Sequence, residues 1–200
     1  MPDERDRTVG GVVLAAGTSA RYGAENKLLA PISGVPMVRV VAETAVESTL
    51  EEVVAVVGHQ NEALSDALSA TVDAVRYNGR YPDGQSESVR HGVAIARQHD
   101  WDAIVFVLGD MPFVETATLD LLEGTYQSST ASIVVPRYDG RRGNPVLFGR
   151  QHFEQLASLS GDRGGREILL NHEGTRFVDV DDSGVVEDID TRQDRAAHIE

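Results

Sequence analysis

The sequence predicts an α/β fold, a single-domain, three-layer α/β/α arrangement around a mostly parallel sheet. Three observations predict it. Short β-branched runs alternate with longer segments of helical period along most of the chain. The run Ala103 to Leu108 is continuously apolar, as a strand buried on both faces must be. No Pro-, Gly- or Ser-rich tract or block of like charge divides the 200 residues, so one domain over 1–200 is expected, with its core at about 9–195.

The elements follow in order. Val12, Val13 and Leu14 form a first strand that runs directly into a Gly-containing loop. Pro36 to Glu47 reads as a helix turning Val38, Val41, Ala42 and Ala45 inward. Glu52 to Val57 is a strand, Asn61 to Ser69 a helix with Leu64 and Leu68 on one face, and Asp73 to Tyr77 a third strand. Ser86 to Gln98 shows Val89, Val93 and Ala96 at helical spacing. After the strand Ala103 to Leu108 come a helix over Thr116 to Tyr126 and a strand over Ala131 to Val135. Beyond Pro136, Asn144 to Phe148, Arg176 to Val180 and Val185 to Asp188 read as strands, and Gln151 to Leu159 and Gly165 to Leu170 as helices. These later elements are expected to extend the same sheet. Thr191-Arg192-Gln193-Asp194 approximates a capping box for a short last helix. In such sheets ligands bind outside the carboxyl ends of the strands. The loops after Leu14, Tyr77 and Leu108 are therefore where chemistry is expected.

Composition excludes several functions. The 18 basic and 32 acidic residues leave a net charge of −14, which repels nucleic acid. The acids are spread along the chain, a pattern that suits a saline cytoplasm. No cysteine is present, so disulfides, thiolate metal sites and cysteine nucleophiles are excluded. Any metal must be held by oxygen or imidazole, and the six histidines show no ligand spacing, although His59 and His91 fall near the loops of interest. No apolar run approaches the roughly 20 residues of a membrane span. The charged start Asp3-Glu4-Arg5-Asp6-Arg7 lacks the apolar stretch of a secretion signal, so a cytoplasmic protein without a membrane partner is expected.

Three stretches carry chemistry. Leu14-Ala15-Ala16-Gly17-Thr18-Ser19-Ala20-Arg21-Tyr22-Gly23, with Lys27 after it, combines small residues with two positive charges. Small residues let backbone approach a ligand, and Arg and Lys neutralise phosphate. The spacing matches neither a Walker A loop nor a dinucleotide fingerprint. On residue chemistry alone, the stretch is either a phosphate cradle or a flexible turn with two exposed basic residues. Gly109-Asp110-Met111-Pro112 places a carboxylate at the end of the buried strand, where it either holds a metal or forms a simple turn. In Asp188-Ile189-Asp190-Thr191, alternation puts Asp188 and Asp190 on one face and Ile189 on the other. Asp190 is then either a ligand or a helix cap, with Thr191 competing for the cap.

These residues resemble a known family. The first loop is similar to the Leu-Ala-[Ala/Gly]-Gly-x-Ser-x-Arg-[Met]-Gly…Lys signature of nucleotidylyltransferases, with Tyr22 in place of the usual Met. Asn78 with Gly84-Gln85-Ser86-Glu87-Ser88, Gly140-Arg141-Arg142-Gly143-Asn144-Pro145-Val146, Ser160-Gly161-Asp162-Arg163-Gly164-Gly165-Arg166 and the Asp-x-Asp-Thr end resemble its molybdenum cofactor cytidylyltransferase-like branch. Arg192-Gln193 departs from the usual Pro-Glu. The match spans about Gly11 to Arg195.

The resemblance implies a Rossmann-like, nucleotide-diphospho-sugar transferase type of fold and a Mg²⁺-dependent transfer of CMP from CTP to molybdopterin. It assigns the metal to Asp110 and Asp190, with Asp188 in reserve, and catalytic charge to Arg21, Lys27 and Asp110. Nucleotide contacts fall on Leu14, Ala15, Ala16, Gly17, Ser19, Arg21, Lys27, Asn78, Ser86 and Ser88. Acceptor contacts fall on Arg141, Arg142 and Asn144, which read equally as a solvated hairpin. Ala16, where guanylyl-transferring relatives carry Gly, points to a cytidylyl form. A molybdenum hydroxylase is the implied recipient of the product. The alternatives are a guanylyltransferase, a nucleotidylyltransferase for another small phosphate, and a nucleotide-binding insertion chaperone or sensor.

Overall fold

The computed structural model describes residues 7–19, 22–23, 25–161, 165–170 and 172–198. In chain order the elements are β1 (Val9–Ala15), β2 (Pro31–Ile32), β3 (Val35–Pro36), α1 (Met37–Val46), β4 (Glu52–Val57), α2 (Asn61–Leu68), β5 (Ala74–Tyr77) and α3 (Gln85–Gln98). They continue with β6 (Ala103–Leu108), α4 (Thr116–Ser128), β7 (Ile133–Tyr138), β8 (Arg141–Arg142), β9 (Val146–Gly149), α5 (Phe153–Ala157), α6 (Arg166–Leu170), β10 (Thr175–Asp179) and α7 (Arg192–His198). Among the described residues no helix is long and apolar enough to cross a membrane.

The main sheet has the order β10-β7-β9-β6-β1-β4-β5, with β8 paired to β7. β6, β1, β4 and β5 are mutually parallel, while β9 runs against both β6 and β7. The chain moves from β1 outward to β4 and β5, then returns to lay β6 on the other side of β1. That reversal opens a crevice at the carboxyl ends of β1 and β6. The register aligns them, because Leu14 pairs with Leu108 and Ala15 with Val57.

Alternation along the strands builds a core on each face of the sheet. From β1, Val9, Val13 and Ala15 join α1 and α2 residues such as Met37, Val41 and Leu64 on one face. Val12 points to the other face, among Val89 and Val93 of α3 and Leu156 of α5. Helices on both faces explain why Ala103 to Val107 is buried at every position. Trp101 is packing: a Cβ on Gly10 would fall 2.2 Å from its ring.

The later elements do join the sheet, with two departures from the sequence reading. Val185 to Asp188 forms no strand. Ser183–Val186 is instead a 3₁₀ turn, because Gly184 lies against the backbone of Phe113, where a Cβ would come within 2.1 Å of its carbonyl oxygen. The hairpin of β2 and β3 around Ser33 and Gly34, both at positive φ, was not expected.

Two buried polar clusters tie this second half down. Asp182 accepts from Thr118 Oγ1 at 2.6 Å and from the backbone N–H groups of Glu115 and Gly184, each at 2.9 Å, so it caps α4 from a distant loop. In the other cluster, Ser132 Oγ lies 2.9 Å from His152 Nε2 and 2.7 Å from His172 Nε2. A single hydroxyl satisfies both rings while they are neutral, donating to one and accepting from the other.

Asp182→Ala leaves three buried donors without their acceptor, and we expect a loss of about 3 kcal/mol, read as a lower urea midpoint at unchanged m-value. His152 is held below its ordinary pKa, chiefly by burial, with the charge of His172 adding to the effect and Gln155 opposing it. The unfolded imidazole therefore takes its proton at higher pH than the folded one. Its contribution is complete above about pH 6.5 and is lost as pH falls through the lower folded value. We expect His152→Gln to flatten the fall of the urea midpoint between about pH 7 and pH 5. An unchanged slope would remove this histidine from the acid response.

Candidate active site

The loop after β1 owes its shape to residues outside the phosphate-like motif. Asn26 is buried and caps the 3₁₀ turn Lys27–Leu29 by accepting from the Leu28 N–H at 3.1 Å. The same oxygen accepts from Ser19 Oγ at 3.0 Å, and the Asn26 amide donates to the His59 carbonyl at 3.2 Å. Ser19 sits at φ 54°, and its Oγ accepts from the Lys27 N–H at 3.2 Å. Gly58 lets this loop rest on the end of β4, since a Cβ there would lie 2.7 Å from the Ala16 carbonyl oxygen. Gly17 faces open space, leaving its backbone accessible from the crevice.

The loop delivers Lys27 to a group of carboxylates. Lys27 Nζ lies 2.8 Å from Asp110 Oδ2 and 2.8 Å from Asp190 Oδ1. Burial works against its charge, but attraction and hydrogen bonds from the two aspartates outweigh that and raise its pKa above the ordinary lysine value. Asp110 follows β6. Asp188 and Asp190 flank Ile189, which is fully buried and donates its N–H to the Asp110 carbonyl at 2.9 Å. That backbone bond brings the two segments together. Thr191 and Asp194 cap α7 reciprocally, at 2.7 and 3.1 Å, which leaves the Asp190 carboxylate turned to Lys27 rather than serving as the cap.

Asp110, Asp188 and Asp190 each offer an oxygen, and these oxygens lie within 4.8 Å of one another. Oxygens around a small octahedral divalent ion at about 2.1 Å stand roughly 4.2 Å apart across it, so a slight contraction fits the set to such an ion. The donors are all hard oxygens, and an ammonium already marks the spot as one for positive charge. The cluster is capable of holding a divalent metal.

A cavity of about 460 Å³ opens beside this cluster. Ala16, Gly17, Thr18, Ser19, Lys27 and Asp110 line one side, and Tyr81, Gln85 and Ser88 the other. Leu14 also reaches it, whereas the Ala15 side chain packs in the core. Asn78 and Ser86 stand behind the wall. Asn78 is fully buried, donating to Ser88 Oγ at 3.2 Å and accepting from the Arg80 N–H at 2.9 Å. Ser86 Oγ is buried without a hydrogen-bond partner. Neither side chain reaches a ligand in this geometry. Arg21 lies outside the described residues, as do Asp162, Arg163 and Gly164. His59 takes part through its carbonyl, and His91 Nδ1 turns to the Glu87 carbonyl at 3.1 Å.

A second cavity of about 280 Å³ shares Leu14, Gln85 and Leu108 with the first. Arg142, Asn144 and Arg166 border it. Arg141 does not. It is exposed on the hairpin with Tyr138, whose Asp139-Gly140 turn has both residues at positive φ. Asn26, Gln85 and Arg166 were not singled out from the sequence. Asn26 alone had a local signal there, an N-cap type residue before Lys27.

Comparison with known proteins places the chain. Residues 11–175 match the family model described as the MobA-like NTP transferase domain. Rv0371c of Mycobacterium tuberculosis H37Rv superposes with a TM-score of 0.83 at 30% identity, covering 98% of both chains. A second structure of Rv0371c, a complex with manganese, gives 0.77 at 28% identity over 96% of this chain and 98% of that one. The nicotine blue oxidoreductase of Paenarthrobacter nicotinovorans is 31% identical over 191 residues, 92% of each protein. The bifunctional protein GlmU of Leifsonia xyli subsp. xyli is 30% identical over 132 residues, which is 65% of this chain and only 27% of that protein. By this match, on the fold and site described above, the chain belongs to the MobA-like NTP transferase domain family and is a nucleotidyltransferase.

Proposed function

We propose that the protein transfers CMP from CTP to the phosphate of molybdopterin, with Mg²⁺ held by Asp110 and Asp190 and supported by Asp188. The observation that carries this reading is the convergence of three carboxylates and Lys27 on one cavity at the carboxyl ends of β1 and β6. The manganese complex of Rv0371c supports a divalent ion in this scaffold. When bound, the ion would neutralise triphosphate oxygens and the departing pyrophosphate.

The chain's own residues position and neutralise. Lys27 and Arg21 meet phosphate charge, and the open backbone at Gly17 lets the triphosphate approach closely. An oxygen of the acceptor phosphate attacks the α-phosphorus in line. The new P–O bond forms as the bond to the bridging oxygen breaks, and pyrophosphate leaves with that electron pair. A phosphomonoester loses its second proton near pH 6, so at neutral pH the attacking oxygen needs no general base. No histidine is among the described residues lining the cavity. Ala16 adds a methyl group at the cavity wall, which favours the smaller pyrimidine.

The match to an enzyme named as an oxidoreductase raises a redox reading. The site favours transfer: displacement at phosphorus uses a carboxylate cluster beside a lysine, whereas hydride transfer has no need of one.

Pyrophosphate release, measured with each of CTP, GTP, ATP and UTP with and without molybdopterin, tests the proposal. We expect release with CTP, Mg²⁺ and acceptor together, reduced about 10²- to 10³-fold or more in Asp110→Ala. Release with GTP instead would make the protein a guanylyltransferase. Binding without release would support a chaperone or sensor, and protein-dependent oxidation of a reduced nicotinamide would support the redox reading.

A further inference from the structure

The second cavity carries information about the acceptor. Its walls are apolar, formed by Phe106, Val146, Phe148 and Leu169, with the two phenylalanine rings 6.2 Å apart edge to face. Its polar groups are the guanidinium groups of Arg142 and Arg166 and the amides of Gln85 and Asn144. No carboxylate is among the described residues lining it. Neither arginine makes an ion pair or hydrogen bond with another described residue. Arg142 is held below its ordinary pKa by burial and by the charge of Arg166, so the two cations do stand close. In a chain of net charge −14, two neighbouring arginines without an acid are an unbalanced arrangement that an anion would balance.

Resting on the transferase reading, we infer that this cavity selects a phosphomonoester with a flat, apolar-faced ring and rejects polyol phosphates. Arg142 and Arg166 grip the one phosphate dianion, and Phe106 and Phe148 wall the ring. Two planar forks suit a phosphate better than single point charges do. A sugar phosphate brings several hydroxyls, each needing a partner once buried, and the cavity offers only two side-chain amides. An aromatic ring makes no such demand and gains from burial against the phenylalanines. The walls shared through Leu14, Gln85 and Leu108 let the gripped phosphate face the nucleotide cavity.

Calorimetric binding to the intact protein without nucleotide tests this, with 2-naphthyl phosphate, glucose 1-phosphate and inorganic phosphate as probes. We expect 2-naphthyl phosphate to bind at least about tenfold tighter than either other probe. Arg142→Gln and Arg166→Gln should each weaken it about tenfold, and the double variant by less than the product of the two, because both grip one group. Unchanged CTP affinity in these variants shows that they are folded. Equal or tighter binding of glucose 1-phosphate, indifference to both substitutions, or displacement of the naphthyl probe by CTP would overturn the inference. If no nucleotide yields pyrophosphate while naphthyl binding keeps its arginine dependence, the transferase reading falls and the cavity's selectivity stands.

Discussion

The contact of one ammonium with two carboxylates, Lys27 with Asp110 and Asp190, is the constraint around which the site is arranged. Three aspartates within 4.8 Å of one another repel unless a cation stands among them. The backbone bond from Ile189 to the Asp110 carbonyl forces the approach, and the Asn26-capped turn supplies the cation. The same oxygens cannot serve an ammonium and a divalent ion fully at once. A metal that takes over the carboxylates frees Lys27 to meet phosphate. The exchange keeps the cluster neutralised in both states and moves the lysine's charge to where a triphosphate would lie.

The sheet makes that contact possible. β1 and β6 are neighbours although the chain visits β4 and β5 between them. Their aligned carboxyl ends bring the Ala16–Asn26 loop and Asp110 to the same height. The two cavities lie side by side there, one with lysine and aspartates, the other with arginines. A displacement between two phosphates needs its partners held in line and their charges met separately, and adjacent cavities with different polar groups provide that.

Much of this was legible in the sequence because it is local. The continuous apolar run Ala103 to Leu108 identified the central strand, and the alternation Asp188-Ile189-Asp190 placed both carboxylates on one side. Lys27 was legible because it sits at a fixed short distance from a Gly-containing loop. What stayed hidden depends on partners far along the chain. Asp182 caps a helix that begins 66 residues earlier, at Thr116, and Arg166 meets Arg142 only through folding. Asn78 and Ser86 sit in a stretch that resembles nucleotide-binding segments, yet the turn at Tyr81–Asp83 sets them behind the wall and leaves Ser88 on it. Sequence spacing conveys that a segment approaches a ligand, but not which of its side chains faces inward.

Titration of the protein with Mn²⁺, followed by electron paramagnetic resonance with and without a non-hydrolysable CTP analogue, tests the central claim most directly. The account predicts one bound ion per chain, held more tightly with the analogue present and lost when Asp110 and Asp190 are both changed to Asn. An ion bound equally well by that double variant, or no bound ion even with the analogue, would contradict it.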